Sequence, residues 1–267
     1  MSEEAMAEDT QAPEIAKVNI LGVGISNVTM DGAVDAVGRF IASGTPHYVC
    51  ISNVHTTMMS QYDAEYRRVQ NEASMVTPDG MPLSWVQRLM GYDQPHRVYG
   101  PDLMLEVCKR GVEQGFRHFF YGGHEGVAEE LKHSFEERFP GIRIVGLYSP
   151  PFRPLTEEED GAVCRMIDES GADIVWVGLG APKQERWMAE HLGRFRAPVM
   201  LGVGAAFDFH TGRILQAPSW MQSVGMEWLF RIYAEPKRMW RRYVFNNPMF
   251  ILLTALQLSG LKKYTLH

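Results

Sequence analysis

The residues of this chain with the most to offer chemistry are two aspartates in glycine-bounded loops. Asp79 stands in Thr77-Pro78-Asp79-Gly80, and Asp208 in Phe207-Asp208-Phe209-His210-Thr211-Gly212. A carboxylate at the end of a strand can act as a general base, taking a proton from a hydroxyl as that hydroxyl attacks an electrophile. Each has a plainer reading. Thr-Pro-Asp-Gly suits the successive positions of a β-turn, and Asp208 serves equally well as a buried structural or ligand-positioning residue. His210 has neither an HExxH pattern nor a second histidine at ligand spacing, so it reads as a hydrogen-bonded loop histidine rather than a metal ligand.

No Asp-x-Asp pair is present to hold a divalent ion against a diphosphate. Arg231, Arg238, Arg241 and Arg242 offer another way to neutralise one, because guanidinium groups bind phosphate oxygens in bidentate fashion. Arg238 is three and four residues from Arg241 and Arg242, which puts them on one face of an unbroken helix. The competing reading is a solvated outer face. Three glycine pairs also stand out: Gly22-Val23-Gly24, Gly178-Leu179-Gly180 and Gly202-Val203-Gly204. A dinucleotide fingerprint needs a small residue three positions further on, where this chain has Asn27, Lys183 and Phe207. All three fail, and there is no GxxxxGK[ST] loop.

The elements that must position these residues alternate between strand-like and helix-like patterns. Strands are expected over 18–25, 47–52, 74–77, 118–121, 142–147, 173–178 and 198–203, with helices over 31–41, 55–71, 83–90, 101–113, 125–138, 156–169 and 183–191. Thr156 followed by Glu157, Glu158 and Glu159 reads as a capping box. Near-continuous apolar strands separated by helices imply an α/β fold, a mainly parallel Rossmann-like sheet with helices on both faces. Such sheets bind ligands at the carboxyl ends of their strands. That rule selects Ser52-Asn53, Thr77 to Gly80, Gly122-Gly123, Gly180 to Glu185 and Ala205 to Gly212. Past Gly212 the strand signals stop, and residues 220–258 read as helices broken near Pro236 and at Asn246-Asn247-Pro248.

The 267 residues, 45% hydrophobic and 22% charged, have the balance of a globular chain and exclude wholesale disorder. The net charge of -6 hides an asymmetry: residues 191–267 carry ten Lys and Arg against three acids, so the end is basic and the body acidic. A basic end points to an anionic contact. Its charges alternate with Trp240, Tyr243, Phe245, Met249 and Phe250, a composition suited to a helix in a membrane interface. Subunit packing competes with that reading, and nucleic acid is disfavoured by the acidic body. Residues 249–256 fall well short of the roughly 20 needed to span a bilayer. The first sixteen residues are acidic and polar, the reverse of a signal peptide, and read as a disordered leader. Cys50, Cys108 and Cys164 show no CxxC spacing, which fits a reducing cytoplasm.

Assembled in order, these segments resemble the WecG/TagA/CpsF family of bacterial glycosyltransferases over residues 18–263. The resemblance rests on Thr77-Pro-Asp-Gly-Met-Pro, Arg97-Val-Tyr-Gly-Pro-Asp-Leu-Met, Gly178-Leu-Gly-Ala-Pro-Lys-Gln-Glu-Arg-Trp and Gly202-Val-Gly-Ala-Ala-Phe-Asp-Phe-His-Thr-Gly. The tail adds Glu227-Trp-Leu-Phe-Arg and Glu235-Pro-Lys-Arg-Met-Trp-Arg-Arg-Tyr. It implies a catalytic domain over 17–217 and a helical membrane-association appendage over 218–267. The implied reaction is inverting and metal-independent, with no cofactor. It moves a sugar from a UDP-sugar onto a polyprenyl-diphosphate saccharide for teichoic acid linkage units, common antigen or exopolysaccharide. N-acetylmannosamine, its uronic acid, glucose and glucuronic acid all remain open as the sugar.

The resemblance places Asp79 as base, with Asn53 and Thr77 beside it and Arg97 on the basic position before Gly-Pro-Asp. It puts Gln184 and Asp208, with Gly122 and Gly180, at the donor, and Arg231, Arg238 and Arg241 at the diphosphate. The implied location is cytoplasmic, peripheral on the inner face of the membrane, and the exposed appendage favours a homo-oligomer. A nicotinamide-dependent oxidoreductase and a non-catalytic membrane scaffold stay open as rivals.

Overall fold

The computed structural model describes residues 15–92 and 96–266, without the side chains of Ser219, Ser223, Arg238, Arg241 and Arg242. The expected leader lies outside the described residues except for Ile15 and Ala16. The first apolar run is not one strand. It folds into β1 (Lys17–Ile20) and β2 (Val23–Ser26), an antiparallel hairpin separate from the main sheet. Leu21 and Gly22 turn the chain with φ of 52° and 83°, so of Gly22-Val23-Gly24 the first residue is in the hairpin turn and the other two begin β2.

After α1 (Met30–Ser43) come β3 (His47–Ser52), α2 (Val54–Tyr62), α3 (Ala64–Glu72), β4 (Met75–Pro78), α4 (Met81–Leu89) and α5 (Gly100–Gln114). Asp63 divides the single helix expected over 55–71. It ends α2 in extended backbone and caps α3 by accepting from Tyr66 N. The chain continues through β5 (Arg117–Gly122), α6 (Val127–Arg138), β6 (Arg143–Tyr148), α7 (Glu157–Ser170), β7 (Ile174–Gly178), α8 (Lys183–Glu190), β8 (Val199–Gly202) and α9 (Ala206–His210). The Thr156–Glu159 capping box forms as expected.

The six later strands make one parallel sheet in the order β4-β3-β8-β7-β5-β6. Helices cover both faces, which is why its inner strands are apolar without alternation. On one face the hairpin, α3, α4, α7 and α8 pack on Tyr48, Val76, Phe119 and Val175. On the other, α1, α5, α6 and α9 pack on Val49, Phe120, Trp176 and Leu201.

The basic end forms α10 (Ser219–Ser223), α11 (Glu227–Ala234) and α12 (Pro236–Leu258). The break at Pro236 is present, but α12 runs unbroken through Asn246-Asn247-Pro248. An interior proline costs about 3 kcal/mol by removing one helical hydrogen bond and crowding the preceding turn. Anchors on both sides offset it: Met239 and Phe250 are buried, and Asn246 bonds His55 of α2. The end of α12 returns to the hairpin, where Leu21 N donates to Gln257 Oε1 (2.9 Å) and Gln257 Nε2 donates to Asn19 O (2.8 Å).

Candidate active site

Asp79 directly follows β4, and its position is fixed by backbone bonds on both sides. Its N–H donates to Ser52 O of β3 at 2.8 Å, and Val98 N donates to Pro78 O at 2.8 Å. Its carboxylate receives Gly100 N at the start of α5 (3.2 Å) and Asn53 Nδ2 (3.4 Å). Asn53 also caps α2, accepting from His55 N and Thr56 N through Oδ1. An amide is suited to both tasks, because it accepts at the helix end while donating to the carboxylate.

Arg97 donates from Nε to Asp79 O at 2.6 Å, and its guanidinium lies 4.1 Å from the Tyr99 ring centre. The same guanidinium pairs with Glu227 of α11. Glu227 Oε1 is 3.5 Å from Arg231 Nε and accepts from Tyr99 Oη at 3.5 Å, so one carboxylate joins the arginine of the body to that of the appendage. Burial works against the Arg97 charge, but Asp79 and Glu227 outweigh it and hold the guanidinium protonated. Arg231 is balanced in the same way by Tyr243, Glu227, Tyr99 and Asp79.

The charged groups line an open cleft between the ends of β3 and β4 and the appendage. Asn53, Asp79, Arg97, Glu227 and Arg231 supply its charge and hydrogen bonding. One carboxylate held by uncharged donors, close to two arginines, can accept a proton while the arginines balance a leaving anion.

Residues 18–264 match the profile of the glycosyl transferase WecG/TagA/CpsF family. The chain belongs to that family. It is accordingly a glycosyltransferase. The N-acetylglucosaminyldiphosphoundecaprenol N-acetyl-beta-D-mannosaminyltransferase of Staphylococcus aureus strain MRSA252 is 27% identical over 250 residues, which cover 93% of this chain and 96% of that protein. Proteins of the same name from strains NCTC 8325 and COL match to the same extent.

In this glycosyltransferase the cavity brings together four residues singled out from the sequence: Asn53, Asp79, Arg97 and Arg231. Arg238 and Arg241 lie on α12, and their side chains are outside the described residues. Thr77 is buried in β4 and does not line the cavity. Gln184 also lies off the cavity and ties two strand ends together. Its Oε1 accepts from Gly180 N (3.1 Å), and its Nε2 donates to Gly202 O (3.0 Å) and Glu185 Oε1 (2.9 Å). Asp208 sits on α9 beyond β8.

Gly122 lets two strand ends close, since a Cβ there would meet the Gly178 carbonyl at 2.6 Å. Gly180 has open space where its Cβ would be. His210 Nε2 donates to Pro101 O at 3.0 Å, and burial lowers its pKa to about 4; it is hydrogen-bonded as expected, but it is the last residue of α9 and not a loop residue.

Glu227, Tyr99 and His55 went unassigned in the sequence. The spacing of Glu227 and Arg231, four residues apart on a helix, was the available signal for the first. Buried Glu185 was missed as well; burial pushes its carboxyl up to about 7. Among the described residues one His/Cys/Asp group has ligand atoms in close range: Asp160, Cys164 and His191. Asp160 there is bound by Arg194 at 2.6 Å and His191 at 2.9 Å, and none of the three lines the cavity.

Proposed function

We propose that this chain transfers an N-acetylhexosamine, with N-acetylmannosamine first among the candidates, from its UDP derivative to a polyprenyl-diphosphate N-acetylglucosamine. Asp79 takes the proton from the acceptor hydroxyl. The resulting oxygen attacks the donor's anomeric carbon from the face opposite the diphosphate, and the bond to UDP breaks with inversion. Arg231, joined by Arg238 and Arg241 of α12, balances the charge that develops on the departing diphosphate. Gln184, Asp208 and Gly180 shape the donor side at the ends of β7 and β8. The observation that carries the reading is the Asp79 carboxylate, fixed by Asn53 and Gly100 in a cavity that also holds Arg97 and Arg231.

No metal is required in this scheme. Both cavity carboxylates already have protein partners, Asp79 in Gly100 and Asn53, and Glu227 in Arg97 and Arg231. In this reading the enzyme works on the inner face of the cytoplasmic membrane, where a UDP-sugar and a lipid-linked acceptor meet. Val244, Phe245, Ile251 and Leu252 are exposed along basic α12 and supply an apolar contact. No helix among the described residues is long and apolar enough to cross a membrane. A homo-oligomer at that surface is part of the same proposal.

The test is UDP release from a panel of UDP-sugars with a short-chain polyprenyl-diphosphate N-acetylglucosamine acceptor and EDTA present. Acceptor-dependent release with one donor is the expected result, and Asp79→Asn should abolish it while donor binding persists. Full turnover in Asp79→Asn would remove Asp79 from the role. Silence across the panel from folded protein would overturn the proposed acceptor and favour a different acceptor class.

A further inference from the structure

One side of the cavity, toward α2 and α12, has no role in the scheme above and is termed the chamber. His55, Met81, Trp228, Tyr243, Asn246 and Asn247 line it. Along α12 the inward stripe runs through Met239, Tyr243, Asn246, Phe250 and Thr254, at helical spacing. Met239 and Phe250 are buried apolar anchors of this stripe, whereas Tyr243 and Asn246 between them hold polar groups where an apolar seam would pack more simply. The Asn246 amide meets His55 Nδ1 at 2.9 Å through one of its ends, which leaves the other end for a second partner. Asn247 also lines the chamber, and its side chain makes no hydrogen bond among the described residues. Trp228 and Tyr243 stand 6.1 Å apart at 51°, forming an aromatic corner beside the amides.

We propose that this chamber is the subsite for the N-acetylated pyranose of the acceptor, with Asn246 and Asn247 reading its acetamido group. The chemistry matches part by part. A carboxamide presents a donor and an acceptor to another amide, the aromatic corner takes the C–H face of a sugar ring, and Met81 with Trp228 gives the acetyl methyl an apolar wall. The occupant is the acceptor and not the donor because α12 supplies the chamber wall on one side and exposed Val244, Phe245 and Ile251 on the other. A lipid-linked sugar stays within a diphosphate's length of the bilayer, so the element that touches lipid must also receive it. Gln184 and Asp208, assigned to the donor, do not line the chamber. This assignment rests on the function proposed above.

The full chain would be tested in two ways. Saturation-transfer NMR with N-acetylglucosamine 1-phosphate should show its acetyl methyl in contact with the protein, and Asn247→Ala should weaken that binding roughly tenfold. Transfer kinetics should show Asn247→Ala and Asn246→Ala raising the acceptor KM by roughly tenfold, with the KM for the UDP-sugar within about twofold of the parent. Both variants should also lose the parent's preference for N-acetylglucosaminyl over glucosyl acceptor. An unchanged acceptor KM and preference in Asn247→Ala, or no methyl contact in the parent protein, would overturn the assignment. Methyl contact that Asn247→Ala removes, in a protein that turns over no donor, would sink the proposed reaction and leave the sugar subsite standing.

Discussion

Asn53 joins two tasks that a substitution can separate. Asn53→Asp retains an acceptor for the α2 cap but sets a second carboxylate against Asp79, so its thermal midpoint should stay near the parent's while turnover falls at least about tenfold. Asn53→Ala should also lose about 1 kcal/mol of stability with the cap. Equal turnover in Asn53→Asp and the parent would show that the bond to Asp79 does no chemical work. Glu185 gives a prediction about pH. Its carboxyl ionises near 7 in the folded chain against an ordinary 4.5, so between those values the folded state holds the extra proton. Stability is therefore fully present below about 4.5 and is lost as pH rises toward 7. Glu185→Gln removes that loss, and urea unfolding from pH 5 to 8 should show the variant gaining on the parent by on the order of 2 kcal/mol. Parallel stability curves would contradict it.

Among the elements, the pairing of Arg97 and Glu227 is what seats α11. Both side chains are mostly buried, at 14% and 17% exposure, so Glu227→Ala would leave two arginines without their carboxylate. The expected cost is on the order of 3 kcal/mol, with faster amide exchange over α11 and α12 but not over β3, β7 and β8. Uniform exchange across the sheet and appendage would instead mean a general loss of stability. How far the elements could be read from sequence follows the same physics. The parallel strands were legible because burial on both faces makes them unbroken apolar runs. That property also concealed the hairpin, whose Leu21-Gly22 turn sits inside such a run. Pro248 pointed to a break that long-range packing overrides. The place of Asp79 at a strand end was legible from the apolar run before it, and Pro78 continues the strand where a turn was the plainer reading, whereas Glu227 reaches Arg97 across 130 residues, a pairing that no local pattern encodes.

For the whole molecule, the division between acidic body and basic end becomes a question of where the enzyme works. Phe245 and Ile251 are 65% and 67% exposed, so Phe245→Asp with Ile251→Asp should leave stability within about 0.5 kcal/mol per substitution. The double variant should bind anionic vesicles more weakly in flotation and lose activity on long-chain acceptor in bilayers. It should keep activity on a short-chain acceptor in solution. Equal loss on both acceptors would place these residues in the catalytic machinery rather than at the lipid. The clasp of Gln257 on Leu21 has a different consequence, in the order of synthesis. Its partners lie 236 residues apart, and at about 5 to 20 residues per second the ribosome makes the second on the order of 10 to 50 s after the first. Until then the hairpin turn lacks its final partner, so a nascent chain has to protect its earliest segment while its last helix is still being made.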